Sequence, residues 1–502
     1  MPRRGDVESS ATLGAAAAAG WAYLAEGGAH LVLERRDVAD DDPNVAGRVL
    51  RLRKTKTEPS SFGEDVARDG ARDDALEPRS NALTDASLWA SHPGFENARS
   101  AEDRSWAFAH HVMRPLLGDR FVDPGAFAPV DRAFLSAVAE AVEPARPRAR
   151  RALSRIDPNA TRAALAPDAR RVDRVRVGAE DGGAAADAAA DWFSVEIKPK
   201  CGFALPGDPE STSRFAMHQA LRVRSGEVSC ASAYDPLDLF AGCDDSRERR
   251  IDDGESTTRR ERALRALADA PRNNLRVSRR GFRWPRDTTR LCSDASSDSS
   301  DSLDAFVSRT DGPATGPGAR LGGAARLLDL VNDALAASGV LAALLRAQRR
   351  DVIGAEAAAA LYESLCVSDE SASSDVVSDD ANENEKKKKA FATAALRDFV
   401  VAAVAKDCSV LVAFRGERKS DDDAFDDDGT FAVAAAAEGG TLPRVRYRCR
   451  VSVVDVDMKP IANISKWLAT HRRIARNWAN EKRAGRSDAQ QQPSDDESTW
   501  NP

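Results

Sequence analysis

Residues 194–203 read SVEIKPKCGF. Phe193, Val195 and Ile197 alternate with Ser194 and Glu196, the period of two that marks a strand with one apolar face. The strand runs into Lys198 and Lys200 on either side of Pro199, whose ring fixes φ and removes a backbone donor. On an extended segment, residues two apart project to the same side, so Glu196 and both lysines are expected on one face. A carboxylate and two ammonium groups at a strand end suit a charged ligand. A surface ion pair is the bland alternative, and for an isolated Lys-Pro-Lys it is the commoner one. The company the stretch keeps decides between them.

The chain has 502 residues, more than one compact core holds, so two lobes are expected: 1–170, and 171–484 carrying the lysine stretch. Hydrophobic residues make up 42% and charged residues 30%, which suits a globular protein. The net charge of −7 means that any polyanion site must be a local basic pocket. An arginine-rich nucleic-acid binder would interleave aromatic rings with its cations. Arg146–Arg155 contains none, so no nucleic-acid partner is expected. The seven cysteines form no Cys-x-x-Cys pair and read as free thiols. No apolar run is long enough to span a membrane, and Asp6 and Glu8 spoil the short Ala15–Ala19 run as a secretory signal. Cytoplasm or nucleus is the expected location.

Trp21–Arg35 reads as strand, glycine turn, strand, with Gly27 and Gly28 free to take positive φ and bring N–H groups to a ligand. Arg48–Lys54 follows as a strand with Leu50 and Leu52 on one face and Arg51 and Arg53 on the other. This pair of features resembles the phosphate-covering loop of the kinase fold rather than a Walker A loop. Thr55–Ala101 reads as loop. Helices are expected over Ser105–Leu117, Asp131–Val142, Ser213–Arg222 and Arg259–Ala270, and as a broken pair over Ala324–Arg349. In Ser213–Arg222, Arg214, His218 and Arg222 share a face. Phe391–Lys406 reads as a helix leading through Asp407-Cys408 into a buried strand, Ser409–Phe414. A second strand, Arg446–Val456, ends in Asp455-Val-Asp457-Met-Lys459-Pro, and a basic helix Ile464–Arg483 follows. Segments 178–190, about 287–318, 367–389 and 418–430 read as disordered insertions, and 485–502 as a tail.

Taken in order, AEGGAHLVL (25–33), GRVLRLRK (47–54), PLLG (115–118), EIKPKCGF, SRFAMHQ (213–219), YDPLDLF (234–240), RNNLR (272–276), SGVL (338–341), AKDCS (405–409) and VVDVDMKP (453–460) resemble the inositol-pentakisphosphate 2-kinase family. The resemblance implies an α+β, two-lobed kinase-like fold, with a small sheet-containing N-terminal lobe and a larger, mostly helical C-terminal lobe around a central sheet. It implies ATP- and magnesium-dependent phosphorylation of the 2-hydroxyl of inositol 1,3,4,5,6-pentakisphosphate to the hexakisphosphate (phytate), by a monomer. Five phosphates carry on the order of −8 to −10, so cations from several elements must converge.

Roles follow from the same resemblance. Gly27, Gly28, Ala29 and His30 would form the loop over ATP, with Arg51 on its phosphates and Asp168 at the hinge near adenine. Glu196 and Arg276 would lie on the nucleotide side, and Lys198 between the two ligands. Substrate phosphates would fall to Arg150, Lys200, His218, Arg222, Asn273, Asn274 and Lys459. Asp407 would take the hydroxyl proton and Asp455 would hold the metal, while Asp457 receives no role.

The chain also departs from the family pattern. His30 replaces asparagine, Lys56 an arginine, Arg222 a lysine, Asn463 an arginine and Trp467 a tyrosine. The changes at 463 and 467 should weaken phosphate binding unless Lys466 or Arg472 substitutes. Plant members carry a zinc site, of which only Cys366 remains, so no zinc is expected. A catalytically weak relative that merely binds inositol polyphosphates is the alternative. The presence of both Asp407 and Asp455 argues against it.

Overall fold

A computed structural model describes residues 12–35, 45, 47–57, 83–172, 192–205, 208–209, 212–243, 254–279, 282–285, 302–308, 323–368, 379–416, 430–435 and 445–490. They form an α+β protein with two antiparallel sheets. The first contains β1 (Trp21–Glu26), β2 (His30–Arg35), β3 (Arg48–Lys56), β4 (Ala126–Pro129), β5 (Ser154–Ile156) and β6 (Arg162–Pro167). Its order is β1-β2-β3-β6-β4, with β5 pairing the far end of β3. Alternation makes the small core: Leu31, Leu33, Leu50 and Leu52 point to one side and meet Phe134, Leu135 and Val138. The last three lie on the helix Arg132–Val142, whose start is capped by Asp131 accepting from the Phe134 N–H at 2.6 Å. Each such side chain contributes about 1.5–3 kcal/mol when fully buried. The opposite parity, Val32, Arg51 and Arg53, is left to face the space between the lobes.

The second sheet contains β7 (Trp192–Ile197), β8 (Leu275–Arg279), β9 (Phe282–Trp284), β10 (Ser409–Gly416), β11 (Thr430–Ala435) and β12 (Val445–Val454), in the order β11-β12-β10-β7-β8-β9. Its register explains its two faces. Phe193, Val195 and Ile197 pair with Phe414, Val412 and Val410, which pair in turn with Cys449, Val451 and Val453. These rows enter one large core with the helices Ala324–Ser338, Val340–Gln348 and Asp379–Ala405. The alternate rows, Arg276–Glu196–Leu411–Ser452 and Arg283–Ser278–Ser194–Ala413–Arg450, lie on the other face. The period of two read from residues 193–197 thus separates core from cleft across five strands. The two helices over 324–348 meet at Gly339, whose φ of 69° suits glycine, as expected at the break.

Several elements differ from the sequence reading. A capped helix, Asp85–Trp89, lies in the stretch read as loop, and Leu88, Trp89, Phe108 and Met113 join the large core rather than the small one. The first 170 residues therefore serve both cores. Within the supposed insertion 287–318, the helix Leu303–Ser308 docks by burying Leu303 and Val307. That helix carries too few apolar positions to show a period in sequence. The helix Asp379–Ala405 begins within the stretch 367–389 read as disordered; residues 383–390 are exposed and this part is propagated from the buried end, with Glu383 and Lys387 paired at 2.8 Å. Residues 367–368 close the helix Gly354–Ser368, and the final helix, Ile464–Gln490, extends into the supposed tail. Segments 178–190 and 418–429 and most of 287–318 lie outside the described residues. Among the described residues no single helix is long and apolar enough to cross a membrane.

Beneath the glycine hairpin the small lobe buries three charges. Glu26 accepts from Lys54 at 2.8 Å and from Arg146 at 2.9 Å, and Arg146 also donates to Glu143 and to the Ser154 carbonyl, both at 2.9 Å. Burial alone would raise the Glu26 carboxyl, but the hydrogen bonds from Arg146 and Lys54 hold it below the usual range. Removing Arg146 leaves buried Glu26 with Lys54 alone and takes the guanidinium from the Ser154 carbonyl, which costs more than the intact group contributes. Arg146→Met should therefore destabilise the protein by about 3–5 kcal/mol in a urea titration. A loss below about 1 kcal/mol, the size of a surface pair, would contradict this. The carboxyl is lowered on folding, so its contribution is present above its unfolded pKa of about 4.3 and is lost as pH falls through the folded value.

Candidate active site

Between the lobes lies a cavity of about 640 Å³. Its roof is β1–β3 and its floor the polar face of β7, β10 and β12. Of the residues singled out in sequence, Gly27, His30, Arg51, Arg150, Asp168, Glu196, Lys198, Asn273, Arg276, Asp455 and Asp457 line it. Gly28 and Ala29 form the hairpin tip beyond it, and Lys200, Asn274, Asp407 and Lys459 belong to an adjoining cluster reached through Lys198. His218 and Arg222 lie on a separate helix.

The hairpin is closed by the Gly27 N–H donating to the His30 carbonyl at 2.9 Å. Neither Gly27 nor Gly28 has positive φ, contrary to expectation. A Cβ at either would meet no atom within 4 Å, so the glycines leave the loop bare over the cavity rather than relieve strain. His30 next to it is neutral: burial and the adjacent Arg51 guanidinium push its pKa down to about 4.

The lysine stretch is a turn, not an extended end. Lys200 has φ of 64°, a left-handed conformation unusual for a side chain of this length. Three contacts hold the turn. The Lys198 N–H donates to the Asn274 carbonyl at 2.8 Å, the Tyr234 hydroxyl donates to the Pro199 carbonyl at 2.7 Å, and the Gln348 amide donates to the Lys200 carbonyl at 2.8 Å. Gln348 also accepts from the Gly202 N–H at 2.8 Å and donates to the Ala405 carbonyl at 3.1 Å, two residues before Asp407. The consequence is that the two lysines diverge to different carboxylates instead of sharing one face.

Lys198 reaches Asp455 at 3.3 Å, and Lys200 reaches Asp407 at 3.3 Å. Lys459 holds the other oxygen of Asp407 at 2.7 Å. Asp407 sits between the helix ending at Ala405 and β10, and Asp455 just past β12; because Ser409 pairs with Val454, the two strand ends meet as expected. Asp455 has φ of 59°, again left-handed. Partial burial would raise the Asp407 carboxyl, but Lys459 and Lys200 outweigh it and hold the group below the usual carboxylate range. Asp407 is therefore ionised at neutral pH and half-exposed. Glu196 accepts from the Ser409 hydroxyl at 2.9 Å and lies 3.9 Å from Arg276.

Other expected residues are engaged differently. Arg51 grips Asp457 with both guanidinium nitrogens, one at 3.2 Å, and so ties β3 to the C-terminal lobe. Asp168 is buried, with Arg170 donating to it at 2.9 Å. Asn273 is exposed, but Asn274 is only 4% exposed, its side-chain oxygen unbonded and its backbone supporting Lys198. Of the shared basic face, Arg214 is spent on Asp208 at 3.0 Å and the His471 carbonyl, and Arg222 pairs with Glu227 at 3.0 Å. Arg472 pairs with Glu356 at 2.6 Å rather than turning to the cleft, and Trp467 packs against Phe399. Cys366 is buried and accepts from the Leu83 N–H. Among the described residues no three His, Cys, Asp or Glu side chains converge on a metal position.

Sequence reading missed Glu26, Gln348, Tyr234 and the role of Asp457. Tyr234 stood in a block already noticed, without a function. Gln348 did leave a signal: it follows Leu344 by four residues on the apolar face of a helix, where a polar group needs a partner.

The sequence model of the family described as inositol-pentakisphosphate 2-kinase matches residues 23–473. The chain is similar to inositol-pentakisphosphate 2-kinase of Arabidopsis thaliana, 27% identical across 94% of this chain and 96% of that one. It is also similar to that of Oryza sativa subsp. indica, 26% identical across 90% and 92%, and that of Cryptococcus neoformans, 25% identical across 92% and 94%.

Gln348→Met keeps the volume and removes every hydrogen bond of the side chain. It takes the Gln348 partner from the Lys200 carbonyl and the Gly202 N–H, at about 1–3 kcal/mol per group, and leaves the Ala405 carbonyl only the Cys408 thiol at 3.4 Å. The melting temperature should fall and the Gly202 amide should exchange faster with deuterium. Unchanged exchange at Gly202 would mean that the turn does not depend on Gln348.

Proposed function

This chain belongs to the inositol-pentakisphosphate 2-kinase family, and we propose on that premise how its cleft divides the reaction between two sides. The reaction is transfer of a phosphoryl group from ATP to the 2-hydroxyl of inositol 1,3,4,5,6-pentakisphosphate, giving inositol hexakisphosphate and ADP. The nucleotide lies in the 640 Å³ cavity under the glycine hairpin, with Arg51, Lys198 and Arg276 toward its phosphates and Asp168 toward the base. The inositol phosphate lies on the outer side of the lysine turn. There Lys200, Lys459 and His218 offer donors from separate elements, Arg150 and Asn273 would reach it from the wall of the cavity they line, and Arg222 does so by exchanging Glu227 for phosphate.

The observation that carries this reading is Asp407 held between Lys200 and Lys459, next to the Lys198–Asp455 pair. The 2-hydroxyl oxygen attacks the γ-phosphorus while its proton passes to Asp407, and the bond from that phosphorus to the β–γ bridging oxygen breaks, leaving ADP. The two lysines orient the base and, by binding substrate phosphates, release it to accept the proton. Asp455 fits a magnesium position: its carboxylate is 55% exposed and is turned into the cavity by a left-handed backbone. A kinase magnesium commonly needs only one or two protein carboxylates besides phosphates, so a larger acidic cluster is not required. When bound, the ion would neutralise charge developing between the β- and γ-phosphates.

Purified protein incubated with ATP, magnesium and the pentakisphosphate should yield the hexakisphosphate; turnover of lower inositol phosphates alone would refute the assignment. Asp407→Asn should lower kcat by roughly 10²–10⁴-fold with both ligand affinities nearly unchanged, because its contribution lies in the transition state. Near-normal kcat would leave Asp407 as a turn-forming residue. Lys200→Ala should raise the pentakisphosphate KM, or lower kcat/KM, by about ten- to hundredfold and leave the ATP constant alone. Weakened ATP with an unchanged substrate constant would move Lys200 to the nucleotide side.

A further inference from the structure

One cation in the cavity is assigned no role by anything above. Arg283 lies on the edge strand β9, between Phe282, which is 60% exposed, and Trp284, which enters the core at 5%. Strand alternation turns Arg283 to the other face. Its register confirms this: it pairs with Ser278, which pairs with Ser194, which pairs with Ala413, and that row ends at Arg450. Both terminal arginines line the cavity, while the serines and the alanine between them are too short to fill it.

Arg283 makes no hydrogen bond and no ion pair within 4 Å among the described residues. The carboxylates that act on it are committed elsewhere: Glu34 is held by Arg170 at 2.7 Å, and Glu196 by Ser409 at 2.9 Å with Arg276 at 3.9 Å. Two of its closest charged neighbours are the guanidiniums of Arg170 and Arg276, and burial together with these two disfavours its charge. A guanidinium cannot escape by losing its proton. A partly desolvated arginine crowded by two others, with no carboxylate of its own, is a costly arrangement unless an anion enters.

We propose that Arg283 is a further nucleotide-binding residue, donating to a phosphate group of the nucleotide from the floor of the cavity. Its planar fork suits phosphate oxygens, and its place on a paired strand rather than on a loop fixes its direction. It lies one row further from Asp455 than Arg276 and beside Arg170, so it would meet the polyphosphate from the base side of the floor, opposite Arg51 of the roof. The proposal rests on the nucleotide lying in this cavity, as argued above.

The test is direct binding to the full-length protein, by calorimetry, of ATP, ADP and adenosine. Arg283→Gln should weaken ATP and ADP by about ten- to hundredfold, the usual weight of a charge-assisted hydrogen bond, and leave adenosine unchanged. Arg283→Lys should restore part of the loss. Thermal melting of both variants without ligand guards against simple unfolding, and at an edge strand little change is expected. ATP affinity unchanged in Arg283→Gln would overturn the proposal. So would an equal loss for adenosine, which would make Arg283 a wall of the cavity, or an effect confined to the pentakisphosphate KM. Wild-type protein that binds ATP but transfers nothing to the pentakisphosphate would sink the functional reading above and leave this comparison intact.

Discussion

Three hydrogen bonds to the backbone of Lys198-Pro199-Lys200 carry the architecture of the cleft. Asn274, Tyr234 and Gln348 come from a turn, a loop and a helix, and each takes one peptide unit of the turn. Without them nothing obliges Lys200 to adopt a left-handed backbone, which costs of order 1–3 kcal/mol for a non-glycine residue. With them, one lysine faces Asp455 and the other Asp407. Gln348 also grips the Ala405 carbonyl, so the turn that positions the lysines and the segment that positions Asp407 are set by the same amide. Proline suits the centre of this arrangement because its missing N–H leaves only a carbonyl to satisfy, and Tyr234 satisfies it.

A second consequence is that the cleft's aspartates are neutralised by protein cations. Asp455 has Lys198, Asp407 has Lys200 and Lys459, and Asp457 has Arg51. Around these three aspartates, binding anions is therefore an exchange of partners, and Arg283, with no carboxylate of its own, is the exception. On the proposed reading, phosphates would compete for the lysines and a metal ion for the carboxylate. The exchange keeps the lysines and aspartates of this cluster paired throughout, where an unpaired buried charge would be costly. It also reconciles a net charge of −7 with a polyanionic substrate, because only local pairs have to be traded.

Much of this was legible. Alternation at residues 193–197 and the buried apolar run 409–414 gave the central strands, and the parity of Arg51 against Leu50 and Leu52 gave the cavity-facing side of β3. The meeting of Asp407 and Asp455 followed from each ending a strand. What stayed hidden depends on contacts distant in sequence. The pairing of Glu26 with Arg146 spans 120 residues and that of Arg51 with Asp457 spans 406, and no local pattern marks either. The left-handed turn at Lys200 was missed for a related reason. A Lys-Pro-Lys run read alone is extended; only the three distant donors and acceptors bend it. Short elements such as β8, β9 and Leu303–Ser308 have too few residues to display a period.

The two departures at the last helix bear on the same exchange. Arg472 does not replace the cation missing at Asn463, because it is committed to Glu356 on the helix Gly354–Ser368. Trp467 lies partly buried against Phe399, so the position where the family pattern has a phenol serves packing instead. Lys466 remains, exposed and three residues after Asn463, which puts it on the same side of the helix start. An exposed lysine pairs with phosphate in high dielectric and is screened by salt, whereas a half-buried arginine would not be. The outer part of the substrate site should thus depend on ionic strength more than the inner part. Inside, Lys200 is partly desolvated, enough that burial lowers its pKa despite Asp407, and its contact with phosphate is correspondingly stronger. On the proposed reading, recognition is shifted inward, toward the turn that Gln348, Tyr234 and Asn274 hold.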